Sequence, residues 1–184
     1  MKKLIALFLA LTVVVGMAAC GAKEETKDYG SALQILETVW GNYADEEKFS
    51  IIGGNMEANI MDAPGAYDLA FAENMTWNLL VPAEQIANVA EAASMIHMMN
   101  ANTFTCGVFK LAEGVKAEDF GAAMQQAIQG NQWMCGFPDK LLIKSFGGQY
   151  VLAAFGVADA MDPFTGHLET AYPEAETLYS EAIG

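Results

Sequence analysis

The stretch LLIKSFGGQYVLAAFG, residues 141–156, decides the fold of this chain. Two runs rich in strand-forming residues flank Gly147 and Gly148, and paired glycines suit the left-handed backbone of a two-residue hairpin turn. The stretch is therefore predicted to be a β-hairpin. Counting outward from that turn, the residues expected to share its core face are Leu141, Ile143, Ser145, Tyr150, Leu152 and Ala154.

The residues before the hairpin predict a strand and then a helix. In NTFTCGVFKL, residues 102–111, a loose alternation puts Phe104, Cys106 and Val108 on one side of a strand. In KAEDFGAAMQQAIQG, residues 116–130, apolar residues recur at helical spacing, and Gly130 suits the position just after the last turn.

Further helices are predicted near both ends of the domain. Residues 31–43 have an apolar helical face with Ser31 as N-cap, residues 67–80 favour a helix, and Pro163 and Pro173 each suit a helix start. Residues 49–66 favour a strand or a loop. The segment QIANVAEAASMIHMM, residues 85–99, fits either a helix or a strand paired with the next one.

Together these segments predict an α+β domain in two layers. An antiparallel sheet of about four strands would have its helices packed on one face.

The N-terminus predicts export and a lipid anchor. Lys2 and Lys3 precede an apolar run of secretory length that is too short to span a membrane comfortably. The run ends in MAAC, residues 17–20, and the small residues around Cys20 resemble the bacterial lipobox. We therefore expect a signal peptide (1–19), a polar tether (20–30) and one domain (31–184). The alternative is an ordinary signal peptide that happens to contain a cysteine.

An acylated Cys20 would hold the protein on the extracytoplasmic face of a bacterial cell membrane, with the lipid bilayer as its partner. Two acyl chains, such as diacylglyceryl and palmitate, give a stable anchor, whereas one chain is marginal.

The charge of the chain argues against nucleic-acid partners. It has 9 basic residues, all of them lysine, against 23 acidic ones, for a net charge of −14. Nucleic acids and phosphorylated ligands favour basic stripes and bidentate arginine contacts, which this composition does not supply.

Two cysteines remain after Cys20. Outside the cytoplasm Cys106 and Cys135 could form a disulfide, or each could be a free thiol. Neither lies in a CxxC motif, which argues against a thioredoxin-type site.

Sulfur and imidazole donors cluster just before the central strand. Met95, His97 and Met99 would share one face of a strand and suit Cu(I), but methionine is also an ordinary core residue, and the chain has 11 of them. Core packing is the preferred interpretation. The sequence contains no GxSxG, SxxK or HExxH motif, so no catalytic residue and no cofactor is predicted.

A loop and a turn are the best candidates for a binding surface. In NQWMCGFPDK, residues 131–140, Trp133 and Phe137 would either line a ligand surface or cover the end of the core. Asn100 and Asn102, in the turn before the central strand, complete the candidate surface.

Three segments carry a family resemblance. AASMIHMMNANTFT (92–105), QWMCGFPDKLLI (132–143) and GGQYVLAAFG (147–156) resemble small lipoproteins of gut Firmicutes that have an uncharacterised α+β domain. The likeness covers mainly residues 82–170 and the lipobox. It implies location and fold type and adds no catalytic residue.

We therefore expect a membrane-anchored extracytoplasmic lipoprotein that acts as a ligand-binding or protein-interaction module. Its partner would be a protein or a small molecule, and no catalytic activity is expected. The alternative is a redox or copper-handling lipoprotein that uses Cys106, Cys135 and the Met/His cluster.

Overall fold

A single antiparallel sheet of eight strands organises the part of the chain described by the computed structural model, residues 27–99 and 103–184. The strand order is β2-β1-β4-β5-β7-β6-β8, and β3 also pairs with β4. The strands are β1 (Ile51–Gly53), β2 (Ile60–Met61), β3 (Gly65–Tyr67), β4 (Val89–His97), β5 (Phe104–Leu111), β6 (Lys140–Phe146), β7 (Tyr150–Gly156) and β8 (Glu176–Ala182). The α+β class is confirmed, but the expected four strands are too few.

Helices cover both faces of this sheet, so the two-layer prediction is corrected to three layers. The helices are α1 (Ala32–Gly41), α2 (Met75–Asn78), α3 (Ala117–Gln129) and α4 (Ala158–Ala171). One core cluster joins α1 and α4 to the face that carries Phe104, Cys106 and Val108, which we call the α1–α4 face. A second cluster joins α2 and α3 to the opposite face, the α3 face. Strands buried on both sides read as continuous apolar runs, as β7 does.

The predicted hairpin is present, but its turn has three residues rather than two. Phe146 pairs with Tyr150, leaving Gly147, Gly148 and Gln149 as the loop, and both glycines have positive φ. Residues that pair directly across two strands have their side chains on the same face of the sheet. The extra loop residue shifts this pairing by one position, so the β6 residues on the same face as Tyr150, Leu152 and Ala154 are not the predicted ones. Leu142 therefore faces the same way as Leu152, whereas Leu141 and Ile143 lie on the α3 face.

The uncertain segment 85–99 is mostly strand. A 3₁₀ segment, Ala83–Asn88, leads directly into β4. β4 pairs with β5 from Val89↔Leu111 to Ile96↔Thr105, which gives alanine-rich β4 a place beside the central strand.

Three helix predictions need correction. Residues 67–80 form a 3₁₀ segment, Leu69–Asn74, and the single turn of α2. Helix α4 begins at Ala158, so Pro163 lies inside it rather than at its start. After Pro173 the chain forms edge strand β8, which Gln129 fastens to α3 by donating to the Ala182 carbonyl at 2.9 Å.

The edge of the sheet beside β4 is one strand in two pieces. β1 pairs with residues 95–97 of β4 and β3 with residues 92–94, in the same direction. The chain leaves the sheet after Gly53 and returns at Gly65. A Cβ on Gly53 would lie 2.2 Å from the Gly65 nitrogen, so only glycine permits this close passage of the two backbones. Residues 54–64 form an excursion outside this divided strand, and within it β2 pairs with the outer side of β1.

The end of the predicted tether packs on the domain. The Tyr29 ring lies edge-on to Phe146, with centroids 5.5 Å apart, and the Tyr150 hydroxyl donates to the Gly30 carbonyl at 2.9 Å. Lys27 forms an ion pair with Glu174. The described chain therefore begins at the β6–β7 turn.

Candidate functional site

A cleft of about 370 Å³ opens at the end of the sheet opposite the β6–β7 turn. We call it the end cleft. Its lining comes from five regions around the ends of β4, β5 and β7: Thr76, Trp77, Asn78, Leu80, Ile96, His97, Met99, Thr103, Phe104, Thr105, Asn131, Trp133, Cys135 and Phe155.

The floor of the end cleft is one row of residues across three strands. Ile96 lies opposite Thr105, and Thr105 lies opposite Phe155, so their side chains share the α3 face. A Cβ on Gly156 would lie 2.5 Å from the Thr103 carbonyl oxygen, and the Val157 amide donates to that oxygen at 2.8 Å. The beginning of β5 and the end of β7 are thus fixed against each other beneath the cleft.

The loop between α3 and β6 forms one wall. Trp133 packs on Phe155 with ring centroids 5.4 Å apart. Its indole Nε1 is buried and has no hydrogen-bond partner among the described residues. A buried unpaired donor is uncommon in folded proteins and costs about 1–3 kcal/mol, so a shift of this loop that brought a ligand acceptor to the nitrogen would relieve that cost.

Trp77, on the single turn of α2, forms the opposite wall. Its side chain is 85% exposed, although the neighbouring Met75 and Leu79 are buried. Trp77 and Asn78 also line a second pocket of about 240 Å³, bounded by Met56 and Asn59 of the excursion. Trp77 therefore lies between the end cleft and this second pocket.

The residue that ends this wall has an unusual backbone. Leu80 lines the end cleft and has φ of 58°, a left-handed conformation that favours glycine. The Val81 amide donates to the Met75 carbonyl at 3.1 Å and closes the turn around it. Such backbone strain occurs preferentially at binding and catalytic sites.

Large apolar side chains are exposed in the cleft lining, as Met99 is, and in the loop that supplies Trp133 and Cys135 to it, as Met134 and Phe137 are. Met99 is 60% exposed, Met134 87% and Phe137 68%. With Trp77 they form what we call the apolar rim. Exposed methionine and aromatic residues grouped beside a concavity are typical of interaction sites, because methionine adapts its shape and aromatic rings bury large areas.

The end cleft is electrically neutral. Among the described residues, those that line it include no Asp, Glu or Lys. Burial lowers the pKa of His97 below its ordinary value, so its imidazole is uncharged at neutral pH. The His97 ring stacks on Phe49 with centroids 4.9 Å apart, and its Nδ1 accepts a hydrogen bond from the Met99 amide at 2.9 Å.

The Met/His set considered from the sequence is divided between the core and the end cleft, although Met95 and His97 share a side of β4 and His97 stacks on Phe49 at the edge of the α1–α4 core. Met95 is fully buried on the α1–α4 face opposite Cys106, whereas His97 and Met99 line the end cleft. Within residues 27–99 and 103–184, no group of three or more His, Cys, Asp or Glu side chains could hold a metal ion.

The two cysteines are free thiols in different environments, so the structure does not contain the disulfide considered above. Cys106 is buried in the α1–α4 face, and burial raises the pKa of its thiol well above the ordinary value. Cys135 is exposed and lines the end cleft.

The predicted binding residues are only partly assembled here. Trp133 lines the cleft, whereas Phe137 is exposed in the same loop, two residues after the lining residue Cys135, and does not line the cleft. Cys20, Asn100 and Asn102 lie outside the described residues. Lipidation of Cys20 and the resemblance to Firmicutes lipoproteins stay predictions.

Sequence reasoning missed Trp77. In NMTWNL, residues 74–79, the apolar spacing of Met75 and Leu79 defines the buried side of one helical turn. Trp77 falls between them, flanked by polar Thr76 and Asn78. A tryptophan that lies outside the buried side of a helix is the sequence feature that could have indicated this binding residue.

Comparisons with protein-family models, curated proteins and solved structures found no significant match. Among the described residues, no helix has both the length and the apolar character needed to cross a bilayer.

Proposed function

We propose that this protein is a membrane-anchored extracytoplasmic lipoprotein that binds an uncharged ligand, or an uncharged part of a partner protein, in the end cleft. The observation that carries the binding function is a neutral concave site lined by the exposed Trp77 and Met99, with Met134 and Phe137 exposed in the loop that supplies Trp133 and Cys135 to the lining. The acyl group on Cys20 would hold the domain at the membrane.

The chemistry of the lining supports an uncharged ligand. A charged group entering the cleft would lose hydration and meet no opposite charge among the described lining residues, which is costly. Thr105, Asn78 and Asn131 offer hydroxyl and amide groups, and Trp77 and Trp133 offer aromatic surfaces. This combination suits a ligand with polar hydroxyl or amide groups and an apolar face, such as a neutral sugar or a blocked apolar peptide.

Binding is tested with the chain lacking its first 20 residues. Neutral disaccharides and end-blocked apolar peptides are titrated against it alongside acidic and basic analogues, and binding is followed by NMR shifts of the indole N–H groups. We expect saturable shifts with neutral compounds and their loss in Trp77→Ala. Phe71→Ala removes an aromatic ring that is 40% exposed but does not line the end cleft, and it is the matched control. Equal binding by Trp77→Ala, or a preference for charged analogues, would contradict the proposal.

The anchor is tested separately by metabolic labelling with a clickable fatty acid. The parent chain should incorporate the label and Cys20→Ala should not. Cys135→Ser, which removes the exposed thiol, should label like the parent. Unchanged labelling of Cys20→Ala would refute lipidation at this cysteine.

A soft-metal function is a second candidate, because Cys135, Met99 and His97 line the same cleft. Thiolate, thioether and imidazole are appropriate donors for Cu(I). If this function is correct, Cys135→Ser and Met99→Leu each weaken Cu(I) binding in competition with a chromogenic chelator. Met95→Leu, which changes a fully buried methionine that does not line the end cleft, should not. Identical affinities in all three variants would remove this candidate.

A further inference from the structure

The end cleft adjoins the second pocket beside Trp77. The two hollows share Trp77, Asn78 and Ile96 in their linings. We call the two together the long groove. Its halves are the end cleft and the second pocket, and Trp77 lies between them.

A single row of side chains forms the floor of both halves. Ile52 pairs with Ile96, and Ile96 pairs with Thr105. Thr105 in turn pairs with Phe155, so all the side chains of the row lie on one face of the sheet. The row crosses four neighbouring strands, which lie about 4.8 Å apart, so it is about 14 Å long. This length suits a chain of linked units rather than one small molecule.

Trp77 offers an aromatic surface between the two halves. Met75 and Leu79 of the same turn are buried, and the Leu79 amide donates to the Met75 carbonyl at 3.0 Å, which fixes the turn. The Trp77 ring itself is 85% exposed. The face of an indole ring is electron-rich and attracts polarised C–H groups. The C–H groups on one face of a sugar ring are of this kind, so a sugar stacked on Trp77 would cover the exposed ring.

Amide side chains with unused hydrogen-bonding groups lie in both halves. In the end cleft the Asn78 amide donates to the Tyr67 hydroxyl at 3.3 Å, and its Oδ1 has no partner among the described residues. The side chain of Asn131 has none there either. In the second pocket the Asn59 amide donates to the Met56 carbonyl at 3.0 Å, which leaves the Asn59 Oδ1 for a ligand. A sugar hydroxyl both donates and accepts, so it can pair with either end of a side-chain amide.

The groove is neutral although the chain is acidic. Among the described residues, those that line either half include no Asp, Glu or Lys, whereas the net charge of the chain is −14. Glu57 lies close by in the chain, but it accepts hydrogen bonds from the Asn55 and Asn74 amides at 3.0 Å and 3.2 Å and does not line the groove. An anionic polymer would meet no cation in the groove and would be repelled by the net charge.

The strands beneath the groove do not favour a peptide. Each of β1, β4, β5 and β7 is paired on both sides, so none has a free edge to which a peptide could add as a strand. An amphipathic helix needs a mainly apolar groove. Thr105 interrupts the apolar row of the floor, and asparagines lie in both halves.

We infer that the long groove binds a neutral oligosaccharide, with one end of the sugar chain in the end cleft, a ring on Trp77 and the other end in the second pocket. The inference rests on the proposed binding function of the end cleft, names its class of ligand and adds a second subsite. Affinity must then rise with the number of sugar rings, because only a longer chain reaches both halves.

The test compares ligand lengths on the full-length chain, purified in a detergent without a sugar headgroup. Mono-, di-, tri- and tetrasaccharides of the cello-, malto- and N-acetylglucosamine series are titrated by calorimetry, and end-blocked neutral peptides of matched length are the competing class. We expect at least one saccharide series to bind. Its tetrasaccharide should bind about tenfold more tightly than its disaccharide, because the longer chain occupies the added subsite.

Single asparagine variants separate the two halves. Asn59→Ala should weaken tetrasaccharide binding about fivefold, as expected for one lost hydrogen bond, and leave disaccharide binding in the larger end cleft unchanged. Asn131→Ala should weaken the binding of both. Asn42→Ala changes an exposed asparagine that lines neither half, and this matched control should bind like the parent.

Three outcomes would overturn the inference: equal affinity for mono- and tetrasaccharides, binding of peptides but of no saccharide, or tetrasaccharide affinity unchanged in Asn59→Ala. In each of these cases the proposed binding function still stands if Trp77→Ala abolishes the binding that is observed. If no neutral compound of either class binds, the proposed function fails together with the inference.

Discussion

At the end of the sheet that carries the end cleft, one face is closed by packed side chains and the other is open. On the α1–α4 face, Phe104 packs between Phe49 and Phe164, with centroid distances of 5.5 Å and 5.1 Å. On the α3 face, the row through Ile96, Thr105 and Phe155 lies beneath an open cleft. The closed face supplies packing, and the rigid strands that it stabilises hold the open face in shape for binding.

The largest expected difference between the faces is in stability. Phe104→Ala empties a fully packed site and should lower the free energy of unfolding by about 3–5 kcal/mol. Trp77→Ala removes a ring that is 85% exposed and should change it by less than about 0.5 kcal/mol. Urea unfolding of the two variants measures both values, and a large loss in Trp77→Ala would show that this ring supports the fold.

The second-largest expected difference is between the two cysteines, in the rate at which each reacts with a thiol reagent. A thiol reagent must reach the sulfur, and it reacts with the thiolate form. Cys106 is buried, and burial also raises the pKa of its thiol. We expect Cys135 to react within the mixing time of a manual assay and Cys106 only after unfolding. Two thiols reacting at similar rates without denaturant would mean that the α1–α4 face opens readily.

A smaller difference is expected at the two buried unpaired polar atoms, one on each side of the molecule. Tyr43 packs in the α1–α4 core, and its hydroxyl has no hydrogen-bond partner among the described residues. Tyr43→Phe removes that atom and should stabilise the chain by about 1 kcal/mol.

Trp133→Phe removes the equivalent atom at the end cleft and should weaken binding of a neutral ligand that pairs with the indole N–H. Thermal unfolding and ligand titration of both variants separate the two roles. Weakened binding in Tyr43→Phe and intact binding in Trp133→Phe would reverse the assignment.

The smallest effect concerns pH. Burial lowers the folded-state pKa of His97 below its ordinary value of 6.5, so the unfolded chain holds the proton more tightly. Stability should therefore be intact above that ordinary value and fall as the pH drops from it through the lowered folded-state pKa. Comparing the melting temperature of the parent and His97→Gln between about pH 5 and pH 7.5 tests this. If the melting temperature changes equally with pH in the parent and in His97→Gln, the pH dependence of stability comes from other groups.

The elements that could be predicted are those whose sequence contains a strong local pattern. Helices α1 and α3 have clear apolar faces, and β5 has alternating residues that point to the α1–α4 face as expected. The hairpin was recognisable from its glycines. Its third loop residue was not, because Gln149 is compatible with either the turn or the strand.

Other features depend on contacts made far along the chain. The edge strand is divided between β1 and β3, each only three residues long, and its continuity exists only through pairing with β4. The end cleft likewise joins residues 76–80 to residues 131–135, which no local pattern connects. Trp133 and Phe137 were predicted because aromatic residues in a loop indicate a binding surface from local sequence alone.

The divided strand beside β4 makes the exposed part of the excursion, residues 56–59, exchangeable. Because Gly53 and Gly65 meet directly, the sheet's register is set on either side of the excursion and does not depend on its length. Doubling a flexible loop costs only about 0.6 kcal/mol in closure entropy. Met56 and Asn59 border the second pocket beside Trp77, so new sequences grafted between the buried Asn55 and strand β2 would alter the neighbourhood of the site and leave the sheet intact. The domain thus offers a fixed frame on which ligand preference can be varied by changing one loop.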